Sequence, residues 1–251
     1  MLNIVIPMAG LGTRFRDAGY TRPKPLIPVL GRPMIQVVID NLRPSCPHRF
    51  IFINLRENVE THGLDRLLER WAPRCVNITI DRVTEGAACT VLLVRESINN
   101  DNPLMIANCD QWVDFDVDDY LAELDRAATD GLIMTMWADD PKWSYVRLDA
   151  AGRATEVVEK EVVSNAATVG IYNFRRGADF VWAAERMIAK DLRVNGEFYV
   201  APTYNELLAE GKTVALYDVG REYDGMFGLG IPSDLEKFEA QPVARKVVGL
   251  A

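Results

Sequence analysis

The chain has 251 residues, a formal net charge of −8 and a hydrophobic fraction of 49%. This length suits one α/β domain, or one domain with a modest insertion, and it can bury a large core. The acidic balance argues against a general nucleic-acid binder, which would carry a basic surface. It does not exclude an anionic small molecule, because a local cluster of cations can override a distant negative balance.

The amino-acid counts also exclude several kinds of site. The four cysteines form no CxxC pair and lack a secretory context, so we expect no disulfides. With two histidines in the whole chain, a His-rich zinc site or a histidine-dependent nucleophile has few candidates. No signal peptide is recognisable, and no run approaches the roughly 18–20 apolar residues of a membrane span. We therefore expect a cytoplasmic protein whose partners include neither a membrane nor a nucleic acid.

The first half of the chain alternates between apolar runs and segments of helical periodicity. The predicted strands are 3–8, 50–54, 76–80, 103–107 and 131–137, and the predicted helices between them are 33–42, 59–71, 87–96 and 117–128. This alternation predicts an α/β fold with a Rossmann-like, mostly parallel central sheet flanked by helices.

The second half changes character. Residues 144–148 and 155–158 predict a hairpin, which would form a small β insertion. A strand at 167–174 follows, and the remaining predictions are helices at 177–189 and 200–210, a strand at 213–217 and a short helix from Pro232. Because no repeat or linker divides the chain, we expect a single domain over 1–251.

A glycine-rich turn, Ala9-Gly10-Leu11-Gly12-Thr13-Arg14, follows the first predicted strand. Glycines at 10 and 12 permit a tight turn whose bare N–H groups can approach phosphate oxygens. The carboxyl end of a strand is also where open α/β sheets bind ligands. Phe15 stands where the dinucleotide fingerprint needs a third glycine, and the Gly-Lys-Ser/Thr of a P-loop is absent from the sequence.

Two cations accompany this turn. Arg14 suits a bidentate clamp on phosphate, whereas Lys24 suits a compact point charge. Pro23 and Pro25 restrict the backbone on either side of Lys24. The turn and the two cations together predict a site for a phosphorylated ligand.

The string Gly10-Leu11-Gly12-Thr13-Arg14, followed by Pro23-Lys24-Pro25-Leu26-Ile27-Pro28, resembles the signature of the sugar-phosphate nucleotidyltransferases. This NTP-transferase family includes glucose-1-phosphate thymidylyl- and uridylyltransferases, and its fold is related to the GT-A fold of glycosyltransferases. Similar motifs extend from residue 4 to about 238. The resemblance implies a mainly nucleotide-binding half over 1–130 and a mainly acceptor-binding half over 131–240, with the β insertion on the acceptor side.

The chain looks like the short, monofunctional members of capsule and surface-polysaccharide biosynthesis. We expect nucleotidyl transfer alone, because motifs that reach residue 238 of 251 leave no room for the β-helix acyltransferase domain of bifunctional relatives.

The resemblance also implies roles for individual residues. Arg14, Lys24 and Asp110 would be catalytic, and Asp110, which follows the predicted strand at 103–107, would hold Mg²⁺ as the cofactor. The residues implied in nucleotide binding are Met8, Ala9, Gly10, Leu11, Gly12, Thr13, Arg82, Glu85, Gly86 and Asn108. Those implied in acceptor binding are Tyr145, Glu159, Lys160, Asn165 and Gly170, with Lys160 on the acceptor phosphate and Glu159 on a hydroxyl group.

Three positions depart from the family pattern. Gly228 occupies the place of an aspartate that is a second metal ligand in many relatives, so either one metal suffices or Asp224 substitutes. Tyr145 stands where sugar-1-phosphate members commonly have glycine, which would change the acceptor that fits. Cys109 replaces another glycine and is expected to be a packing residue.

The expected reaction is transfer of a nucleoside monophosphate from CTP, UTP, dTTP or GTP to a small phosphorylated acceptor. The main hypothesis is that the acceptor is a sugar 1-phosphate. The alternative is a cytidylyltransferase that acts on an amino-alcohol, polyol or amino-acid phosphate. A GT-A glycosyltransferase would need an Asp-x-Asp motif, whereas Asn108-Cys109-Asp110 offers one carboxylate. A nucleotide-binding regulator would bind without turnover, and the sequence leaves homo-oligomerisation open.

Overall fold

The computed structural model describes residues 1–250 and is built around an eleven-stranded sheet. The strands are β1 (Leu2–Met8), β2 (Pro28–Val29), β3 (Arg32–Pro33), β4 (His48–Leu55), β5 (Val76–Ile80), β6 (Leu104–Ala107), β7 (Gln111–Val113), β8 (Gly131–Trp137), β9 (Ser144–Leu148), β10 (Ala154–Glu159), β11 (Ala166–Phe174), β12 (Val214–Glu222) and β13 (Gly225–Gly228). Strands β2 and β3 form a separate two-stranded sheet.

Helices cover both faces of the large sheet. They are α1 (Thr13–Asp17), α2 (Met34–Asn41), α3 (Arg56–His62), α4 (Leu64–Trp71), α5 (Ala87–Leu92), α6 (Arg95–Ile98), α7 (Val117–Arg126), α8 (Gly177–Ala189), α9 (Tyr204–Ala209), α10 (Pro232–Glu239) and α11 (Pro242–Val247). Single 3₁₀ turns lie at Lys24–Leu26 and Ala201–Thr203. None of the helices within residues 1–250 is long and apolar enough to cross a membrane.

The strand order along the sheet is β5-β4-β1-β6-β11-β8-β12-β13-β7. Strands β5, β4, β1 and β6 are parallel, and β8, β12 and β13 run in the same direction. Strand β11 lies antiparallel between β6 and β8, and the β9–β10 hairpin joins the sheet through β11. The predicted α/β fold with a mostly parallel sheet and an inserted hairpin is therefore confirmed.

The core follows from the alternation of side chains along the central strands. On β1, Ile4 and Ile6 pack into the cluster on one face of the sheet, whereas Val5 packs into the cluster on the other. All three side chains are fully buried. Strands covered on both faces read as continuous apolar runs, which is why the sequence marks them so clearly.

A third cluster joins the beginning of the chain to its end. Phe15 of α1 is buried with Trp112 of β7, Phe227 of β13 and Phe238 of α10. The rings of Trp112 and Phe227 lie 5.5 Å apart, and those of Phe227 and Phe238 lie 5.3 Å apart. This packing holds α1 against the strands that follow Asp110, which places the two predicted motifs on one side of the molecule.

Several helix predictions were wrong in their extent. The segment 59–71 contains two helices, because Gly63 adopts a left-handed conformation (φ 61°) that ends α3 and begins α4. The segment 87–96 is likewise divided into α5 and α6, and the segment 200–210 begins with a 3₁₀ turn. Strands β7 and β13 have only three and four residues, too short for a pattern to show.

Candidate active site

The site lies where parallel strands β1 and β6 end side by side. Asn3 pairs with Leu104 and Val5 with Ile106, so the ends of the two strands at Met8 and Ala107 are neighbours. The glycine turn leaves the first strand and Asn108-Cys109-Asp110 leaves the second. Strand register therefore places both motifs at the same edge of the sheet, as expected for ligand sites in open α/β folds.

Lys24 and Asp110 form an ion pair at this edge. The Nζ atom of Lys24 donates a hydrogen bond to Oδ2 of Asp110, and about one fifth of each side chain is exposed (21% and 22%). Burial acts to lower the pKa of Lys24, but the Asp110 carboxylate outweighs it, so the pKa lies above its usual value. Arg14 acts on that pKa in the opposite direction. The ammonium group is thus firmly protonated and partly desolvated.

A cleft of about 260 Å³ contains this ion pair. Its lining residues are Pro7, Met8, Gly10, Gly12, Lys24, Pro25, Asn108, Cys109 and Asp110. Gly12 has φ 58°, and a Cβ atom there would lie 3.1 Å from Cβ of Lys24. Six residues from the sequence prediction are therefore assembled in one place, and glycine at position 12 leaves room for the lysine.

Two neighbouring residues differ in what they can contribute. Arg14 is an exposed residue of α1, which begins at Thr13 directly after the left-handed Gly12. Cys109 is buried, and this burial raises the pKa of its thiol to about 12. Because the thiolate is the reactive form, Cys109 is a packing residue and not a nucleophile.

A second cleft, of about 350 Å³, extends from the glycine turn to the beginning of α5. Its lining residues are Pro7, Ala9, Gly10, Leu11, Val83, Thr84, Gly86, Ala87, Thr90 and Glu197. Gly86 has φ 128°, and a Cβ atom there would overlap the backbone of Phe198, 2.5 Å from its nitrogen. Residue 86 is therefore restricted to glycine both by conformation and by space.

Arg82 and Glu85 lie outside this second cleft. Both line an adjoining depression of about 810 Å³ together with Asp81, Cys89 and Leu93. Glu85 forms an ion pair with Arg193 at 2.6 Å, so its carboxylate is already engaged. The structure thus brings Gly86 to the glycine turn but leaves these two side chains beside that cleft.

Glu159 is the last residue of strand β10 and Lys160 directly follows it, with the two side chains in different surroundings. Glu159 accepts a hydrogen bond from Ser144, and burial raises the pKa of its carboxyl group, against the opposing effects of Ser144 and Lys160. Lys160 is exposed, and its Nζ atom donates a hydrogen bond to the hydroxyl of Tyr199 at 2.7 Å. Glu159 can accept a hydrogen bond from a ligand hydroxyl group, and the adjacent Lys160 supplies a positive charge.

Gly170 packs against the first cleft. It has φ 81°, and a Cβ atom there would collide with the side chain of Asn108 and lie 2.9 Å from Oε1 of Gln111. Gly170 also accepts a hydrogen bond from the backbone nitrogen of Asn108 at 3.0 Å. Position 170 therefore requires glycine because Asn108 and Gln111 lie so close to it, and not because an acceptor does. Gln111 is a buried neighbour of Gly170 that the sequence analysis did not single out.

A family model described as nucleotidyl transferase matches residues 4–197. That match covers most of the chain and includes the glycine turn, Lys24, Asp110, Glu159 and Lys160. The chain belongs to the nucleotidyl transferase family. The resemblance drawn from the sequence motifs is confirmed.

Related proteins carry names of this family. Over 219 residues the chain is 27% identical to the bifunctional protein GlmU of Cupriavidus pinatubonensis, covering 84% of this chain and 45% of the relative. Over 238 residues it is 24% identical to the mannose-1-phosphate guanylyltransferase catalytic subunit beta of Dictyostelium discoideum, covering 92% of this chain and 64% of the relative. The chain spans about half the length of the GlmU proteins it matches over most of its own length.

Solved structures show the same fold. The nucleoside-diphosphate-sugar pyrophosphorylase of Vibrio cholerae RC9 superimposes with a TM-score of 0.80 at 24% identity, covering 95% of this chain and all of that one. A UDP-glucose pyrophosphorylase complexed with UDP-glucose gives a TM-score of 0.74 at 16% identity, covering 94% and 96%. These likenesses establish the fold of this nucleotidyl transferase.

One acceptor residue expected in this nucleotidyl transferase is not at the site. Tyr145 is fully buried in the core, and its hydroxyl donates a hydrogen bond to the carbonyl of Asp140 at 2.7 Å. It therefore cannot form an acceptor wall. Successive residues of a strand face opposite sides of the sheet, so the neighbouring Ser144 faces Glu159 instead. Asn165 is exposed just before β11, and its carbonyl accepts a hydrogen bond from Ala138.

Asp224 is also misplaced as a second metal ligand. It ends the turn before β13, where the next residue, Gly225, accepts a hydrogen bond from Asp114, at the far end of β7 from Asp110. A Cβ atom at Gly228 would lie 3.5 Å from Oδ2 of Asp234. The glycine beside the Asp110 carboxylate is Gly230, where a Cβ atom would lie 2.5 Å from Oδ2. Glycine at position 230 therefore leaves room for the Asp110 carboxylate.

Proposed function

We propose that the protein transfers a nucleoside monophosphate from a nucleoside triphosphate to a phosphorylated acceptor, a sugar 1-phosphate being the main candidate, with release of pyrophosphate. The observation that carries this proposal is the Lys24–Asp110 pair inside the cleft lined by Gly10 and Gly12. Members of the family named for mannose 1-phosphate and UDP-glucose act on substrates of this class, as their names state.

The reaction is a direct in-line displacement. An oxygen of the acceptor phosphate attacks the α-phosphorus, a new P–O bond forms, and the bond to the leaving pyrophosphate breaks. The acceptor phosphate is already ionised and nucleophilic at pH 7, so no general base is needed. Catalysis then depends on positioning and on neutralising charge, as in other phosphoryl transfers.

Lys24 and the turn share the work on the phosphates. Lys24 lies between the glycine turn and Asp110, where it would bridge the α-phosphate and the acceptor phosphate. The backbone N–H groups of residues 10–14 and the Arg14 guanidinium would hold the leaving pyrophosphate. Met8, Ala9, Leu11, Thr13 and Gly86 would complete the nucleotide site, with the base in the second cleft.

The donor chemistry at Asp110 suits Mg²⁺. The carboxylate is partly exposed inside the cleft, and Mg²⁺ is often held by one or two carboxylates together with substrate phosphates and water. Within residues 1–250 no group of three or more His, Cys, Asp or Glu side chains could hold a metal ion alone. A bound Mg²⁺ would supply charge neutralisation at the phosphates, and Asp110 would be its protein ligand.

The acceptor would bind between β10 and the first cleft. Lys160 would anchor the acceptor phosphate and Glu159 would accept a hydrogen bond from an acceptor hydroxyl group. The burial of Tyr145 removes the steric reason to expect a non-sugar acceptor, since that side chain never reaches the site. A sugar phosphate therefore remains the main candidate.

A pyrophosphate-release screen tests the proposal. CTP, UTP, dTTP and GTP are each combined with sugar 1-phosphates and with amino-alcohol, polyol and amino-acid phosphates in the presence of Mg²⁺. We expect release that requires both a nucleotide and an acceptor. Nucleotide binding without pyrophosphate release from any pair would overturn the proposal and favour a regulatory protein.

A further inference from the structure

Lys160 is held in an unusual way for an exposed lysine. Its backbone has φ 59°, a left-handed conformation that is uncommon outside glycine, and its N–H donates to the carbonyl of Trp143 at 3.0 Å. Its Nζ atom bonds to the hydroxyl of Tyr199 and lies 4.9 Å from the centre of that ring. Exposed lysines are usually free to rotate in solvent, so these contacts fix one of many available positions.

Tyr199 belongs to a segment that is fastened to the predicted base-binding residues. The N–H of Phe198 donates to the carbonyl of Glu85 at 2.8 Å, and the N–H of Ala88 donates to the carbonyl of Phe198 at 3.1 Å. Arg193 closes the other side of the segment with its 2.6 Å ion pair to Glu85. We name residues 193–199 the strap, because it crosses from Glu85 to Lys160.

The strap leaves little room for movement at its base-binding end. The backbone of Phe198 occupies the space that a side chain at Gly86 would need, and the Phe198 ring is buried beneath the guanidinium of Arg193 at 4.2 Å. Glu197, which directly precedes Phe198, lines the second cleft. Because one planar peptide bond joins Phe198 to Tyr199, the fixed backbone of Phe198 also restrains the backbone of Tyr199.

We propose that Tyr199 is a positioning residue for Lys160, and that the strap fixes the acceptor-phosphate cation relative to the nucleotide. This inference rests on the proposed function, because it assigns Lys160 to the acceptor phosphate. An ammonium group has three donors, so one bond to Tyr199 leaves two for phosphate oxygens. Holding the cation before the acceptor arrives removes part of the ordering cost of binding.

The charges around Lys160 agree with this role. The hydrogen bond to Tyr199 is the largest influence on the pKa of Lys160 and raises it. Burial acts to lower this pKa, and Glu159 and Glu197 also raise it. The lysine therefore keeps its charge at neutral pH. Glu159 and Glu197 are the acidic groups that act on it, but the hydrogen bond of its Nζ atom goes to the hydroxyl of Tyr199.

The test compares Tyr199→Phe, which removes only the hydroxyl, with Tyr199→Leu, which also removes the ring. Protein labelled with [¹³Cε]lysine is titrated with inorganic phosphate at pH 7.5, and Lys160→Arg identifies the Lys160 signal by its loss. We expect the dissociation constant for phosphate at Lys160 to rise about tenfold in Tyr199→Phe and further in Tyr199→Leu. Tyr217→Phe is the control, because its hydroxyl bonds to Asp119 away from Lys160.

Kinetics provide the second measurement, with the substrate pair that gives the fastest pyrophosphate release. In Tyr199→Phe we expect the acceptor KM to rise about tenfold while the nucleotide KM stays unchanged. Phosphate binding and acceptor KM equal to those of Tyr217→Phe would overturn the inference and leave the proposed function intact. No turnover in the unsubstituted protein, with weakened phosphate binding in Tyr199→Phe, would overturn the proposed function but support the positioning of Lys160.

Discussion

At the scale of single residues, the ion pair between Lys24 and Asp110 is the centre of the site. The partners are 86 positions apart, and only the adjacent ends of β1 and β6 bring them together. The two groups are complementary in charge and are both partly desolvated, which strengthens their effect on a bound phosphate. Their removal is the most direct test of catalysis.

We expect Lys24→Met and Asp110→Asn each to lower kcat by about 10²–10³, because each removes one preorganised charge from the reacting phosphates. Pyrophosphate release measures the rate, and circular dichroism checks the fold. Lys246→Met, at an exposed position of α11, is the control and should keep the full rate. Near-normal release from either site variant would contradict the assignment.

Alanine substitutions at Gly86 and Gly152 distinguish the cost of backbone strain from the cost of steric crowding. Both have positive φ, but a Cβ atom at Gly152 meets nothing within 4 Å, whereas one at Gly86 overlaps the backbone of Phe198. We expect Gly152→Ala to lower the free energy of unfolding by about 1 kcal/mol and Gly86→Ala by about 3 kcal/mol. Urea unfolding measures both. Equal losses would show that crowding at Phe198 is unimportant.

Glu159 makes a pH-dependent contribution whose sign follows from its raised pKa. A carboxyl group whose folded pKa is raised stabilises the protein while protonated, below its unfolded value near 4.5, and this contribution is lost as pH rises through the folded pKa. We therefore expect Glu159→Gln to raise the Tm at pH 7, with the gain shrinking as pH falls below 4.5. Thermal unfolding at several pH values measures this.

The exposed Glu156 provides the control for Glu159. It lies on the same strand and pairs with Arg147 at 2.8 Å with about half of its side chain exposed (51%). Glu156→Gln should change the Tm little at any pH, because exposed ion pairs contribute little. A Glu159→Gln gain that is the same at pH 4 and pH 7 would contradict the argument from burial.

At the scale of elements, helix α9 completes the edge of β10. Oδ1 of Asn205 accepts from the N–H of Val157 at 2.7 Å, and Nδ2 donates to the carbonyl of Val157 at 2.8 Å. The amide thus replaces a neighbouring strand for a buried residue. Because β10 ends at Glu159, directly before Lys160, this contact also positions the proposed acceptor side of the site.

We expect Asn205→Ala to lower the free energy of unfolding by about 2 kcal/mol, since two hydrogen bonds of about 1 kcal/mol each are lost. Asn205→Asp keeps the hydrogen-bond acceptor but not the donor. Its free energy of unfolding should therefore lie between those of the unsubstituted protein and the alanine variant. Urea unfolding measures the loss. An alanine variant as stable as the unsubstituted protein would mean that water replaces the amide.

At the scale of the whole molecule, the two halves of the chain share one sheet. Strand β11 from the second half lies between β6 and β8, and it covers the edge of β6, whose residues are almost fully buried. Removing the second half would therefore expose an apolar strand edge, which promotes aggregation. We propose that residues 1–250 fold as one domain.

We expect the full chain to unfold in a single calorimetric transition and a fragment of residues 1–130 to lack cooperative unfolding. Scanning calorimetry and circular dichroism provide the measurements, with the full chain as the reference. A fragment that unfolds cooperatively by itself would show that the nucleotide-binding half is an independent domain.

The central strands, the glycine turn and the position of Asp110 at a strand end were all predictable from the amino-acid sequence. These features depend on local periodicity and on residues adjacent in the chain, such as the alternation of Ile4, Val5 and Ile6. The family motifs added Lys24, Glu159 and Lys160 with their expected roles. Short strands and the helix break at Gly63 were missed, because three or four residues carry no period and a single glycine leaves the apolar pattern intact.

Which side chains meet depends on how distant elements pack against one another. A shift of one residue along β9 exchanges Tyr145 for Ser144 beside Glu159, because neighbouring residues of a strand face opposite sides of the sheet. The bond between Lys160 and Tyr199 joins residues 39 positions apart, on elements whose arrangement no local pattern specifies. Site residues that directly follow the end of a strand could therefore be predicted from the sequence. Contacts between residues on separate elements depend on packing and could not.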